Sequence, residues 1–401
     1  MKRYLLLTIY VFFLLPSLTA CWNQKELTDL AFVMAIGIDK GKNQKFDVSW
    51  QLVNPGNVSS GQTGGGQGLP IAVYKSSGDT ITEAARRATK KISRRLYYAH
   101  TNLVVISEGV AKTDLLDIVD ALDRDPEFRT TTEMVIARGT SAENLVSALT
   151  NLDKLPVSKI TKEIKSTQNM LGENMSVNVD DFISGIISSG KEPILNGYLL
   201  MGKKEQAQKA ENLQSTKSDA YLEANGLAIF KNGKLKGWIE NNNARGAIWI
   251  LNKVKSTDIN VEWNGKKDAI SMASIRTKTK VSVNFKNGKP VIHIRIEDEG
   301  WISEANTAID LTNPKVIEKL DKLVEKEIKR QIVNAVKAAQ KKKSDIFGFG
   351  ERVHRADPKL WNKLKRNWNE QFARLEVNVE VDSYIRREGI RTIPFWSTMN
   401  K

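Results

Sequence analysis

Few side chains in this 401-residue chain are of types that do chemistry, and their spacing narrows them further. There is one cysteine, Cys21, and there are three histidines, His100, His293 and His354. A lone thiol excludes an internal disulfide framework and a Cys-based zinc site. The histidines are far apart in sequence, and none stands at a His-x-x-x-His spacing. The acidic run Glu297-Asp298-Glu299 lacks the periodic ligands of an EF-hand loop and reads as a charged turn at a strand end. Phe347-Gly348-Phe349-Gly350 follows a helical pattern instead of a strand. It reads as a packed turn whose phenylalanines cover core, not as a nucleotide loop. The glycines from Gly56 to Gly68 have no Gly-Lys-Ser/Thr after them and read as a flexible loop, and no nucleophile elbow occurs. The expectation is a non-enzyme with no cofactor and no metal.

The chemistry that remains belongs to Cys21. Lys2 and Arg3 precede an apolar run, Tyr4 to Leu15, that is too short for a spanning helix of about 20 residues and suits an export signal. Leu18-Thr19-Ala20-Cys21 looks like a bacterial lipobox, the pattern cleaved before a cysteine that receives a diacylglyceryl group. One acyl chain holds a protein to a bilayer marginally and two hold it stably, so a diacylated Cys21 tethers the chain without a transmembrane helix. Trp22 then falls at the membrane–water interface, where indole is favoured.

Net charge points the same way. The chain carries +15, and loss of Lys2 and Arg3 with the leader leaves +13. For an exported protein the acidic partner is an anionic membrane surface instead of nucleic acid. Thr80-Ile81-Thr82-Glu83 has the form of a capping box opening a helix through Leu96. On that helix Arg86, Lys90 and Arg94 stack at i, i+4, as do Arg87, Lys91 and Arg95. The pattern predicts one concentrated cationic face, a candidate surface for acidic lipid or protein, although most charge runs are solvated helix faces. The stretch holding Trp361 and Trp368 is a second interaction candidate.

The elements that position these residues are legible from periodicity. "LAFVMAIGID", "FDVSWQLV", "NLVVIS" and "EMVIARG" read as strands, with helices at "DLLDIVDALDRD", "SAENLVSAL", 158–171 and 179–189. This β-α-β-α-β rhythm predicts a sheet with helices packed on it. After a polar segment at 202–218, three Asn-Gly pairs (Asn232-Gly233, Asn264-Gly265 and Asn287-Gly288) separate alternating strands and predict hairpins in a largely antiparallel sheet. A long helix from Pro314 to the Lys341 region carries an apolar stripe, and "LEVNVEVDSYIRR" reads as a terminal strand. The expected class is α+β in three domains: N-terminal α/β-type sheets with helices, and a C-terminal antiparallel hairpin sheet packed with long helices. The expected division is a leader over 1–20, an N-terminal region over 21–200 of two α/β subdomains, a linker or long loop over 201–220, and a C-terminal α+β domain over 221–395.

Taken in order, four stretches resemble the Ger(x)C family. They are "LTACWNQKELTDLAFVMAIGID", "SGDTITEAARRATKKISRRLYYAHTNLVVISE", "GLAIFKNGKLKGWI" followed by "ARGAIWIL", and "FGFGERVHRADPKLWNKLKRNWNEQFARLEVNVEVDSYIRREG". Ger(x)C proteins are lipoprotein C subunits of the germinant receptors of Gram-positive spore formers. The resemblance implies a three-domain α+β fold without enzyme activity, acylation at Cys21, and assembly with two integral-membrane subunits of A and B type. It implies a place at the outer face of the spore inner membrane and a part in assembly or signal transmission during nutrient-triggered germination. The rival reading is a solute-binding lipoprotein of an import system, whose two parallel-sheet lobes fit the Asn-Gly hairpins poorly. A cell-wall hydrolase would need a nucleophile, metal or paired carboxylates that the sequence does not offer.

Overall fold

The computed structural model describes residues 3–4, 26–58, 68–387 and 393–394. Cys21, Trp22, most of the leader and most of the glycine-rich loop lie outside the described residues.

The chain first lays down β1 (Leu30–Lys40), β2 (Phe46–Val53) and β3 (Ile71–Gly78), which pair antiparallel in sequence order. Helix α1 (Ile81–Ala88) and the short β4 (Arg95–Tyr97) follow, and then β5 (Leu103–Ser107), α2 (Leu115–Asp123), β6 (Glu133–Ala137), α3 (Ala142–Ser147), α4 (Pro156–Met170), α5 (Val179–Ile187) and β7 (Ile194–Gly202). Strands β1, β5, β6 and β7 run parallel. Such strands are covered on both faces, which explains why "NLVVIS" is an unbroken apolar run. One face buries Ile36, Val104 and Ile106 under α1, α2 and α5; the other buries Leu103, Val105 and Val135 under α3 and α4.

The sheet is completed by β8 (Ala220–Lys231) and β9 (Lys234–Ile239), giving nine strands in the order β3-β2-β1-β5-β6-β7-β8-β9, with β4 beside β1. The first Asn-Gly hairpin therefore closes this first sheet and not the second. Segment 202–218 connects β7 to β8, antiparallel neighbours in the one sheet.

Helix α6 (Asn241–Ile250) leads into β10 (Thr257–Trp263), β11 (Lys266–Lys286) and β12 (Lys289–Ala305). Their turns are the other two Asn-Gly pairs. All three Asn residues sit at φ 51–52° and their glycines at 70–82°, the left-handed geometry the dipeptide was expected to supply. Helix α7 (Pro314–Lys341), α8 (Phe349–Ala356), α9 (Pro358–Leu364), α10 (Trp368–Phe372) and β13 (Glu376–Arg387) follow as the last elements among the described residues. The apolar stripe of α7 is buried through Leu320, Val324, Ile328, Ile332 and Val336. Strand β13 pairs parallel with β12, so the four-stranded sheet is mixed, not wholly antiparallel. Glu297, Asp298 and Glu299 lie within β12, not in a turn: Asp298 points into the core, and Glu299 pairs outside with Arg276 and Arg386.

The architecture is mixed α+β with two sheets. They share one core: Leu227, Ile229 and Ile239 of the first sheet, α6, α7 and the inner face of the second form a continuous apolar cluster.

Candidate interaction surface

The quoted motifs turn first into structural joints. Gly37 lets the backbone of Ala142 approach β1: a Cβ there would stand 3.0 Å from the Ala142 carbonyl carbon. Two residues on, the Asp39 carboxylate accepts from Ala142 N (2.8 Å) and Glu143 N (2.9 Å), closing the N-terminus of α3. Burial raises the Asp39 pKa, and those two N–H groups oppose the rise. So "AIGID" is a packing and capping device.

The C-terminal signature is another. Asp345 is wholly buried and accepts from Phe347 N (3.2 Å), Phe349 N (3.1 Å), Gly350 N (2.8 Å) and the Trp368 indole (2.9 Å). Burial pushes its carboxyl up to about 6 against those four donors. Phe347 and Phe349 are buried, as a packed turn requires. The Asp345 carbonyl accepts from Glu192 N at 2.8 Å, Ser188 bonds Glu351, and Ser344 bonds the Phe230 carbonyl, so this turn fastens the second lobe to the first. Trp361 and Trp368 are only 2% and 4% exposed, so the two indoles are not presented to a partner; they are core anchors, edge to face at 5.2 Å.

The cationic region differs from the single helix face expected. Thr80 caps α1 through Glu83 N (3.1 Å), while the Glu83 carboxylate returns to Asp79 N (2.7 Å) instead of Thr80 N. The helix then stops at Ala88, where the Thr89 hydroxyl donates to the Arg86 carbonyl at 2.7 Å. Like charges at i, i+4 disfavour further turns, and Arg95 is drawn into β4 opposite Leu30. Only Arg86 and Arg87 are therefore helical, Lys90, Lys91 and Arg94 lie in the turn, and Arg95 begins the strand.

All six remain exposed, yet they divide in two. Arg87 pairs with Glu83 at 2.6 Å, Lys91 donates to the Lys75 carbonyl at 2.7 Å, and Arg95 pairs with Glu127 at 2.6 Å. The side chains of Arg86, Lys90 and Arg94 make no hydrogen bond or ion pair among the described residues. Arg86, Arg94 and Arg95 rim a groove of about 770 Å³ between α1, β4 and the turn after α2. Sequence reasoning missed this groove, because its walls come together only when residues 121–128 fold against residues 81–98. No group of three or more His, Cys, Asp or Glu that could hold a metal occurs among the described residues. None of their helices is long and apolar enough to cross a membrane.

A two-sheet α+β chain with motif-built joints and a partly unpaired cationic rim is matched over both halves by spore germination models. Residues 23–197 match the spore germination protein N-terminal domain, and residues 225–389 match the C-terminal model described as spore germination B3/GerAC-like. The chain belongs to this spore germination family, as the sequence resemblance implied. It is 41% identical over 399 residues to spore germination protein KC of Bacillus subtilis (strain 168), covering 98% of each chain. Spore germination protein GerQC of Bacillus cereus is 23% identical, covering 97% of this chain and 99% of that one. The crystal structure of the GerBC protein superposes with a TM-score of 0.52 at 17% identity, covering 91% of this chain and all of that one, and shares the fold. The solute-binding alternative finds no support in these matches.

Proposed function

We propose that the chain is the lipid-anchored C-type subunit of a spore germinant receptor, acting in assembly or signal transmission and not in catalysis. The observation that carries this reading is the full-length likeness to spore germination protein KC. The lipobox-like Leu-Thr-Ala-Cys sits nine residues before β1 begins, which agrees with an anchor at Cys21. The partners are two integral-membrane subunits of A and B type, with the anionic bilayer as a second contact surface. The place is the outer face of the spore inner membrane. The buried joints described above support a scaffold: they fix two lobes in one orientation, as a part that relays or organises needs.

Cys21→Ala tests the anchor. The substituted protein is expected to lose the lipid mass on residue 21, leave the spore membrane fraction and fail to support nutrient-triggered germination. Normal membrane retention with normal germination would overturn the anchor's role.

A further inference from the structure

Three features meet at one end of the nine-stranded sheet. The first is the groove, whose floor is apolar: Ile36, Ile81, Ala85, Ile92, Leu96 and Phe128. At about 770 Å³ it has the size and lining of a small-molecule site, mostly apolar with a few polar groups at its edge. The second is charge. Arg86 and Arg94 are exposed on the rim without a partner among the described residues. The same rim carries two carboxylates: Glu127 pairs with Arg95, and Asp125 accepts from Glu127 N at 2.9 Å, so three arginines stand against two acids and the rim keeps a net positive charge. The third is position. Strand β4 lies alongside the first residues of β1, Leu30 opposite Arg95, and Leu27 just before them is 73% exposed. From Glu26 back to Cys21 the chain can reach no more than about 18 Å.

We propose that this groove docks an acidic phospholipid of the bilayer to which the chain is anchored. Arg86 and Arg94 take the phosphate, and the apolar floor takes the start of an acyl chain. The proposal rests on the Cys21 anchor, because a tether this short brings the groove to the bilayer surface. A free inorganic anion would satisfy the rim and leave the floor without a partner; an acidic lipid satisfies both. Lipid docking would fix the rotation of the first lobe on the membrane by adding a second point of attachment to the one at Cys21.

The test uses the full-length chain in phosphatidylcholine nanodiscs doped with photoreactive phosphatidylglycerol, and cross-links are mapped by peptide mass. Labelling is expected within residues 81–98 and 121–128. It should fall by about tenfold or more in Arg86→Glu/Arg94→Glu, since each basic residue at an anionic surface is worth roughly fivefold. Arg86→Lys/Arg94→Lys should keep most of it. Equal labelling by photoreactive phosphatidylcholine, or labelling centred on another surface, would overturn the proposal. So would full competition by soluble glycerol phosphate, which would assign the groove to a free anion. The anchor is scored separately from the intact mass of the Cys21 peptide. Acylated protein with an unlabelled groove sinks the docking site alone. Unacylated protein whose groove still labels sinks the anchor and sustains the site.

Discussion

The Trp368 indole N–H donates to the Asp345 carboxylate across 2.9 Å, with both side chains buried where the two lobes meet. Three backbone N–H groups of the Phe-Gly-Phe-Gly turn converge on the same carboxylate. Asp345→Ala would leave four donors buried and unpaired. It should cost about 3–5 kcal/mol, while Trp368→Phe, which removes one donor, should cost about 1–2 kcal/mol. Urea unfolding measures both. Equal losses for the two variants would show that packing of the indole, not the carboxylate, holds the joint.

Asp298 gives a pH signature. It is buried within the second sheet, accepts from Ser274 and Ser383, and is pushed by burial up to about 6. Its unfolded value is about 3.9, so the folded state binds the proton more tightly. The resulting stabilisation is fully present below about pH 4 and is lost as pH rises through about 6. Glu133, also raised by burial to about 6, acts with the same sign. Relative to Asp298→Asn, the unsubstituted protein should lose about 2 kcal/mol of stability between pH 4 and pH 7. Parallel stability curves for the two proteins would contradict the assignment.

Gly246 sets the crossing of α6 over α7. A Cβ at this position would overlap the Gln331 carbonyl oxygen. Alanine is the better helix former by about 1 kcal/mol, yet the overlap should outweigh it and make Gly246→Ala destabilising by about 1–3 kcal/mol net. Thermal unfolding decides the sign; a stabilised variant would mean the helices separate without strain.

Asp39 closes the N-terminus of α3 from a neighbouring strand. Asp39→Ala should cost about 1–2 kcal/mol, and hydrogen exchange should quicken first at Ala142 and Glu143. Uniformly faster exchange across the first sheet would point instead to a wider disturbance of β1.

Local signals were legible wherever one residue type suffices. The Asn-Gly turns needed positive φ and had it, the α7 stripe needed period 3.6, and the parallel strands needed unbroken apolar runs. What was not legible depends on partners distant in sequence. Nothing in Asn232-Gly233 says that its hairpin extends the first sheet, and nothing in "LEVNVEV" says that it lies parallel to β12. Three acidic residues in a row, Glu297-Asp298-Glu299, break the alternation and read as a turn; that Asp298 can be buried in a strand depends on Ser274 and Ser383, which lie far away in sequence. The row of cations suggested a continuous helix; it stops at Ala88, and Arg95 instead pairs with Leu30 across β4 and β1. At the candidate surface the charges were visible in sequence, and the groove beneath them was not.

The receptor-subunit assignment is tested most directly by recovering the tagged full-length protein from detergent-solubilised spore membranes and identifying its partners by mass spectrometry. Co-purification of two polytopic membrane subunits, lost or reduced in the Cys21→Ala variant, is the predicted result. Co-purification of a transport permease with its ATPase, and no such pair, would contradict it.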